Sequence, residues 1–253
     1  MKRTILIAAS LLALSASASA KQRVLVARRS MQTIAPALAF DTDNVLFGDV
    51  WLRPGLSQRD RSLVTLSVLI ASGKTAQLTD HLNRALDHGL KPSEVAGVIN
   101  QLAFYSGWPN AVSALTIAEA VFTARNIDMS MLRVRDETRR PPVTGEGQLE
   151  DLVEAGMADV APKLTDLTRN VVFGDLWRRA DLSPRDRSLV TIAALVAGGD
   201  ERELSLHLRL GQQHGLTRAQ IGEALTHLAF HTGWPKATSV LHTAHRELAE
   251  GSS

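Results

Sequence analysis

The sequence contains no cysteine. This absence excludes disulfide bonds, thiolate-bound metals and any mechanism that uses a cysteine nucleophile, thiol peroxidase chemistry included. Aromatic residues are few, at 4% of 253 residues, and neither sign of charge dominates, because 28 basic residues stand against 26 acidic ones. A hydrophobic fraction of 45% with 21% charged residues is typical of a folded globular chain rather than a disordered one.

Long hydrophobic runs are also missing, apart from one short run at the amino terminus. Lys2 and Arg3 precede a stretch of small apolar residues, and residues 18–20 read A-S-A. This stretch is shorter than the roughly 20 residues that span a bilayer, so we expect residues 1–20 to be a secretory signal peptide rather than a membrane anchor. After its cleavage we expect a periplasmic or secreted protein with no membrane attachment. Basic and acidic residues then balance, which indicates no nucleic-acid partner.

The sequence repeats itself at an offset of 126 residues. Residues 59–65 (R-D-R-S-L-V-T) recur unchanged at 185–191, and F-G-D-V-W at 47–51 returns as F-G-D-L-W at 173–177. An ungapped comparison of 41–120 with 167–246 gives 36 identities in 80 positions. The chain is therefore an internal duplication.

Between the two copies lies a stretch, 133–147, that contains proline, glycine and mixed charges and is typical of a linker. The predicted organisation is a signal peptide at 1–20, a first domain at 21–132, the linker at 133–147 and a second domain at 148–253.

Within each repeat the hydrophobic period is helical, and alternating strand patterns are absent. In the first repeat, Ser57 followed by Asp60 predicts a capping-box helix start, and Gly89 predicts the end of the next helix. Pro92 opens a further helix that Gly107 ends. The remaining helices are predicted at about 34–52 and 109–125. The fold class is therefore all-α, as two copies of a five-helix unit.

Three motifs carry a resemblance to the carboxymuconolactone decarboxylase family. They are W-x-R-P-G-L-S-x-R-D-R-S-L-V-T-L at 51–66, H-L-x-x-A followed by H-G-L within 81–90, and L-A-F-Y-x-G-x-P at 102–109. Each repeat is similar to one such domain, which implies the alkylhydroperoxidase-like fold. The alkylhydroperoxidase branch uses a C-x-x-C pair, whose places this chain fills with Lys74 and Gln77 and with Asp200 and Glu203. The chain therefore resembles the decarboxylase branch, which needs no cysteine.

The resemblance implies a carbon–carbon lyase reaction, namely cofactor-independent acid–base decarboxylation or isomerisation of a small carboxylated lactone or related cyclic compound. Such chemistry needs a cation to hold the carboxylate, an electron sink in the substrate and an acid to protonate carbon. Arg61 and Arg187 are the candidate carboxylate forks, and His81 and His207, which match the family's helix histidine, are the candidate acids. The structural alternatives are arginines that pair with an aspartate at the helix start and buried, hydrogen-bonded histidines.

One helix differs between the repeats in a way that affects the predicted pocket. The second repeat has Glu223, His227 and His231 in a stripe, where the first has Gly97, Gln101 and Tyr105. Three metal ligands from one straight helix strain the coordination angles, so we favour a polar pocket wall with no metal and keep metal binding as the alternative. The candidate substrate-binding residues are Trp51, Trp177, Tyr105, His231, Trp108, Trp234 and His227, with core packing as the alternative for the tryptophans.

A second function class remains open, a non-catalytic scaffold that binds small molecules or serves assembly. In either class the expected small-molecule partner is a carboxylate. Single-domain relatives resemble ring-like hexamers, so two fused units are expected to form a homotrimer with pseudo-six-fold geometry.

Overall fold

The structure, a computed structural model, describes residues 25–132, 139–142 and 158–249. The predicted signal peptide at 1–20 lies outside the described residues, as does most of the predicted linker at 133–147. The chain divides into two compact units, residues 1–48 and 49–253, and each is described separately.

The first unit breaks the helix predicted at 34–52. Helix α1, Arg29–Ile34, ends before Pro36, which begins α2, Pro36–Asp41. The chain then widens into a π-helical segment, Thr42–Leu46. The prediction of one continuous helix was wrong, because proline has no N–H to donate to a preceding turn and therefore starts a new helix.

The second unit contains the remaining helices of both repeats, and none of its described residues forms a strand. The predicted all-α fold with a tandem duplication is therefore confirmed. The first-repeat elements are the 3-10 turns Val50–Leu52, Thr75–Gln77 and Met129–Leu132 and the helices α3 Gln58–Ala71, α4 Leu78–Asp87, α5 Pro92–Ser106 and α6 Trp108–Ala124. The second-repeat elements are α7 Pro162–Leu167, the π-helical Thr168–Phe173, the 3-10 turn Leu176–Arg178, α8 Pro184–Gly198, α9 Glu201–Gln213, α10 Arg218–Thr232 and α11 Trp234–Ala249.

The helix ends predicted at Ser57, Gly89 and Gly107 are found at these positions. Ser57 caps α3, since its Oγ accepts the Asp60 N–H at 3.0 Å. Gly89 and Gly107 follow α4 and α5 with φ of 92° and 93°, a backbone region that glycine enters without steric cost. The capping box at Ser57 is half made, because the Asp60 carboxylate binds arginines instead of the backbone.

The two R-D-R-S-L-V-T helices, α3 and α8, form the centre of the second unit. Both are buried along nearly their whole length. α3 packs against α8 and α10, and α8 packs against α5, so each central helix contacts the other repeat. The two repeats therefore share one hydrophobic core rather than each enclosing its own.

A reciprocal set of ion pairs joins α3 to α8. Arg59 Nη2 donates to Asp186 Oδ2 at 2.8 Å, and Arg185 Nη2 donates to Asp60 Oδ2 at 2.7 Å. Each arginine also contacts the aspartate of its own repeat at 3.2 Å. Both carboxylates are buried. The first two residues of each R-D-R triplet therefore hold the repeats together.

Residues 139–142 lie against the second repeat. The Arg140 N–H donates to the Arg178 carbonyl at 3.0 Å, and Arg178 Nε donates back to the Arg140 carbonyl at 2.8 Å. None of the helices in the described ranges combines the length and the apolar character that a membrane span requires.

Candidate functional site

The central helices present two related clusters of side chains, each assembled from both repeats. The first-repeat site consists of Trp51, Arg61, Thr65 and His81 together with Glu223, His227 and His231 from α10. The second-repeat site consists of Trp177, Arg187, Thr191 and His207 together with Gly97, Gln101 and Tyr105 from α5. The helix that differs between the repeats therefore faces the arginine and histidine of the opposite repeat.

In the first-repeat site, Arg61 is fully buried and pairs with a carboxylate from the second repeat. Its Nη2 donates to Glu223 Oε2 at 2.8 Å and to the Arg53 carbonyl at 3.0 Å. The Nε and Nη1 atoms of Arg61 are buried and have no hydrogen-bond partner within the described residues. A buried N–H without an acceptor costs about 1–3 kcal/mol, so these donors favour an incoming anion.

Glu223 is held by two guanidinium groups at once. Arg53 Nη2 donates to Glu223 Oε1 at 2.7 Å, while Arg61 takes the other oxygen. The hydrogen bond from Arg53 lowers the pKa of Glu223 to about 2, with Arg61 adding to the effect and burial opposing it. Glu223 is therefore a counter-ion to the arginines rather than a free acid at neutral pH.

The second-repeat site pairs its arginine more completely. Arg187 Nη1 donates to Gln101 Oε1 at 2.9 Å, and Gln101 Nε2 donates to Thr191 Oγ1 at 3.0 Å. Arg187 Nη2 donates to the Arg179 carbonyl and to the Asp181 carboxylate. Gln101 therefore pairs with Nη1 of Arg187, whereas Nη1 of Arg61 has no partner in the described structure. Of the Arg187 nitrogens, only Nε is left without a partner there.

The carboxylates that pair with the two buried arginines come from different positions of the repeat: Glu223 pairs with Arg61, and Asp181 pairs with Arg187. Glu223 stands where the first repeat has Gly97, and Asp181 stands where it has Gly55. A Cβ on Gly55 would lie 2.7 Å from Glu223 Cγ, and a Cβ on Gly97 would lie 3.2 Å from Asp181 Cγ. Each glycine therefore makes room for the acid of the opposite repeat.

The tautomer of His227 follows from its hydrogen bonds. The Thr65 hydroxyl donates to the Arg61 carbonyl at 2.8 Å, so its oxygen accepts from His227 Nε2 at 2.7 Å. This leaves His227 Nδ1 as a lone pair, buried and without a partner in the part of the chain that the structure describes. Burial, chiefly, holds the pKa of His227 well below its usual range, so the imidazole is neutral.

Two further histidines and two aromatic contacts extend this site. The His231 ring centroid lies 4.9 Å from that of His227 and 6.0 Å from that of His81. Trp51 packs edge-on against His227 at 5.0 Å, and Arg84 Cζ lies 5.6 Å from the Trp51 ring. Burial lowers the pKa of His231 to about 3, with a smaller contribution from the charge on His81. The site thus combines neutral imidazoles with guanidinium groups.

In the second-repeat site, Tyr105 and His207 pack on Trp177. Tyr105 Oη accepts the Trp177 Nε1 hydrogen at 2.8 Å, and the His207 ring stacks on Trp177 at 5.7 Å. His207 is only 2% exposed. Burial, with a smaller effect of His214, lowers its pKa to about 3. The buried site therefore penalises the charged form of this imidazole and keeps it neutral at pH 7.

This geometry pairs a histidine, an arginine and a tryptophan twice in one all-α chain. The family model of the carboxymuconolactone decarboxylase family matches residues 36–120 and again 162–246, which together are more than half of the chain. The chain belongs to the carboxymuconolactone decarboxylase family.

Three relatives are similar over parts of this family member. A 4-carboxymuconolactone decarboxylase of Acinetobacter baylyi is 40% identical over 76 residues, which are 30% of this chain and 57% of the relative. A nitrosuccinic acid decarboxylase of Metarhizium robertsii is 32% identical over 73 residues, 29% of this chain and 51% of the relative. An uncharacterized 15.0 kDa protein of Paracoccus denitrificans is 31% identical over 96 residues, 37% of this chain and 72% of the relative. The chain spans little more than half the length of the two named decarboxylases.

The remaining predicted residues of this family member lie on α6 and α11. Trp108 packs edge-on against Phe104, and Trp234 packs edge-on against Phe230, both at 5.0 Å. Each tryptophan is 57% exposed. Trp108 lines a cavity beside His207.

Sequence reasoning missed several residues of the site, including Arg53, Thr65, Arg84 and Asp181. The change from Gly55 to Asp181 between the repeats carried a signal for one of them. In the described ranges, no group of three or more histidine or acidic side chains has the arrangement of a metal site. Glu223 turns away from His227 toward the arginines.

Proposed function

We propose that this family member catalyses acid–base decarboxylation or isomerisation of a small carboxylated lactone or related cyclic compound at the first-repeat site. The observation that carries the proposal is the buried Arg61, whose Nε and Nη1 lack partners in the described residues beside a cluster of neutral imidazoles. Two relatives are named as decarboxylases of carboxylated compounds, which supports the reaction class. The amino-terminal residues 1–20 support a periplasmic or secreted location.

The proposed reaction breaks one carbon–carbon bond. The bonding electrons pass into the conjugated carbonyl of the substrate, carbon dioxide leaves, and the carbon that lost it then takes up a proton. Arg61, with the help of Arg84, orients the substrate carboxylate before the bond breaks. His81 delivers the proton that this carbon takes up.

A turnover assay tests this proposal directly. The mature chain is mixed with 4-carboxymuconolactone, and the release of carbon dioxide is measured beside a thermal-shift panel of small carboxylic acids. We expect turnover, together with a rise in Tm for those acids. The absence of both turnover and a Tm shift would contradict the proposal.

A matched substitution locates the carboxylate contact. Leu210 occupies the position of Arg84 in the second repeat, so Arg84→Leu copies a residue that the fold already accepts there. We expect this variant to raise KM for the carboxylated substrate by about tenfold while Tm changes little. An unchanged KM would show that Arg84 takes no part in binding.

A scaffold that binds without turnover is the second candidate. It is favoured by the burial of Arg61 and Arg187 and by their pairing with protein carboxylates, as in a purely structural ion pair. Small acids that raise Tm without being consumed would support this candidate and rule out the lyase proposal.

A further inference from the structure

A cavity of about 610 Å³ opens beside the second-repeat site. Its wall comes from α5, the start of α6, α7 with the π-helical segment that follows, and α9. The wall is mainly apolar, with rings from Phe104, Trp108 and Phe173 and branched side chains from Leu164 and Val172. A cavity of this size and character is suited to one small organic molecule that buries most of its surface.

Two polar groups face this cavity with hydrogen-bonding capacity left. Tyr105 Oη accepts from Trp177 Nε1, so its own hydrogen is available to donate. His207 is 2% exposed, and its Nδ1 has no hydrogen-bond partner among the residues that the structure describes. A ligand that meets these atoms with one polar group satisfies them both in a buried setting.

The charges around the cavity disfavour an anion. Among the described residues that line the wall there is no lysine or arginine, and Glu203 is the one that carries a formal charge. The nearby Arg187 of this site has Nη1 and Nη2 already bonded to Gln101, Asp181 and the Arg179 carbonyl. The pKa of His207, lowered to about 3 mainly by burial, keeps its imidazole uncharged at neutral pH.

The first-repeat site has a cation at the position where the second-repeat site has a leucine. Arg84 stands over Trp51 there, whereas Leu210 packs with Phe173 and Trp177 in a small hydrophobic cluster here. A carboxylate that enters this cavity would lose water and gain no cation.

We propose that the second-repeat cavity binds an uncharged, largely apolar ring compound, which Tyr105 recognises through one hydrogen bond to a carbonyl or similar acceptor. The two repeats would then bind ligands of different charge. This inference concerns binding at the second site and does not depend on the reaction proposed for the first, so the two stand or fall on separate measurements.

A pair of ligands with the same shape and different charge tests the proposal. Titration calorimetry at pH 7.5 compares 2-naphthamide, which is neutral, with 2-naphthoate, which is an anion. It uses the mature chain with Arg84→Leu, so that carboxylate binding at the first-repeat site is weakened and does not add to the naphthoate signal. We expect the amide to bind at least tenfold more tightly. Equal or tighter binding of the naphthoate would overturn the proposal, and so would the absence of amide binding up to its solubility limit.

Three variants assign the binding to this cavity. Tyr105→Phe removes one hydroxyl and should weaken 2-naphthamide about fivefold, whereas Ser113→Ala, which removes an exposed hydroxyl on α6, should leave it unchanged. Leu210→Arg copies the first repeat and should shift the preference toward 2-naphthoate by about tenfold. Melting temperatures confirm that each variant is folded. A Tyr105→Phe protein that is folded and binds the amide with unaltered affinity would overturn the assignment.

Discussion

At position 227 a histidine stands where the first repeat has Gln101, and this exchange determines how each buried arginine is paired. Gln101 bridges Arg187 and Thr191, whereas His227 reaches Thr65 and leaves Arg61 Nη1 without an acceptor in the described residues. The same backbone position therefore closes one polar network and leaves the other open.

The His227→Gln variant should restore the closed network in the first-repeat site. The new amide should bridge Arg61 and Thr65, as Gln101 does on the other side, and raise the free energy of unfolding by about 1 kcal/mol. Turnover should fall at the same time, because Arg61 Nη1, one of the two donors that await a substrate carboxylate, is occupied. Urea unfolding and the carbon dioxide assay measure the two effects.

The opposite variant, Gln101→His, is the matched control. It should remove the acceptor of Arg187 Nη1 and cost about 1–3 kcal/mol, since a buried donor loses its partner. Equal changes of stability with the same sign in the two variants would contradict the account of the paired networks.

Glu223 makes stability depend on pH. Its pKa in the folded protein is about 2, mainly because of the hydrogen bond from Arg53, and lies below its ordinary value of 4.5. The carboxylate therefore contributes stability that is fully present above pH 4.5 and is lost as the pH falls toward 2. We expect the stability difference between the wild-type protein and Glu223→Gln to shrink over that range. A difference that is the same at pH 7 and pH 3 would contradict this role.

At the scale of elements, the contact between α3 and α8 depends on the reciprocal pairs of Arg59 with Asp186 and of Arg185 with Asp60. The carboxylates are buried and the arginines partly so, which makes these pairs stronger than exposed ones. A double-mutant cycle with Arg59→Gln and Asp186→Asn should give a coupling free energy of about 1 kcal/mol. A coupling near zero, measured by urea unfolding, would show that the pair does not join the helices.

The ends of α3, α4 and α5 were predictable because each depends on a local rule. Ser57, Gly89, Pro92 and Gly107 mark caps and breaks that need only their near neighbours. The break near Pro36 was missed, although the proline was visible, because periodicity continues across a restarted helix.

The candidate site was predictable only in part, for a reason that also lies at this scale. Periodicity identified the face of α10 that carries His227 and His231 but gave no information about what that face packs against. The fact that it meets Thr65 and His81 of the other repeat follows from the packing of α10 on α3, a contact between distant segments.

At the scale of the whole molecule, α6 and α11 carry exposed apolar side chains at equivalent positions. Trp108 and Leu115 on α6 correspond to Trp234 and Leu241 on α11, and all four are about half exposed. Together with the family resemblance, these faces support our proposal of a homotrimer with pseudo-six-fold geometry.

The trimer predicts a scattering mass about three times that of the chain over a wide concentration range. The paired substitutions Leu115→Glu and Leu241→Glu should reduce this mass, because they place carboxylates on the faces expected to be buried between subunits. Light scattering checks both expectations, and a monomer at every concentration would contradict the assembly.

The central claim is that the two repeats have become unequal and that the carboxylate chemistry belongs to the first. The most direct measurement compares carbon dioxide release from 4-carboxymuconolactone by His81→Asn and His207→Asn, with Tm recorded for each. Loss of a general acid lowers rates by about 10²–10⁴-fold, so His81→Asn should lose at least about tenfold more turnover than His207→Asn. The Tm of each variant should change by no more than a stability change of about 1 kcal/mol would cause. Equal losses, or a larger loss in His207→Asn, would contradict the claim.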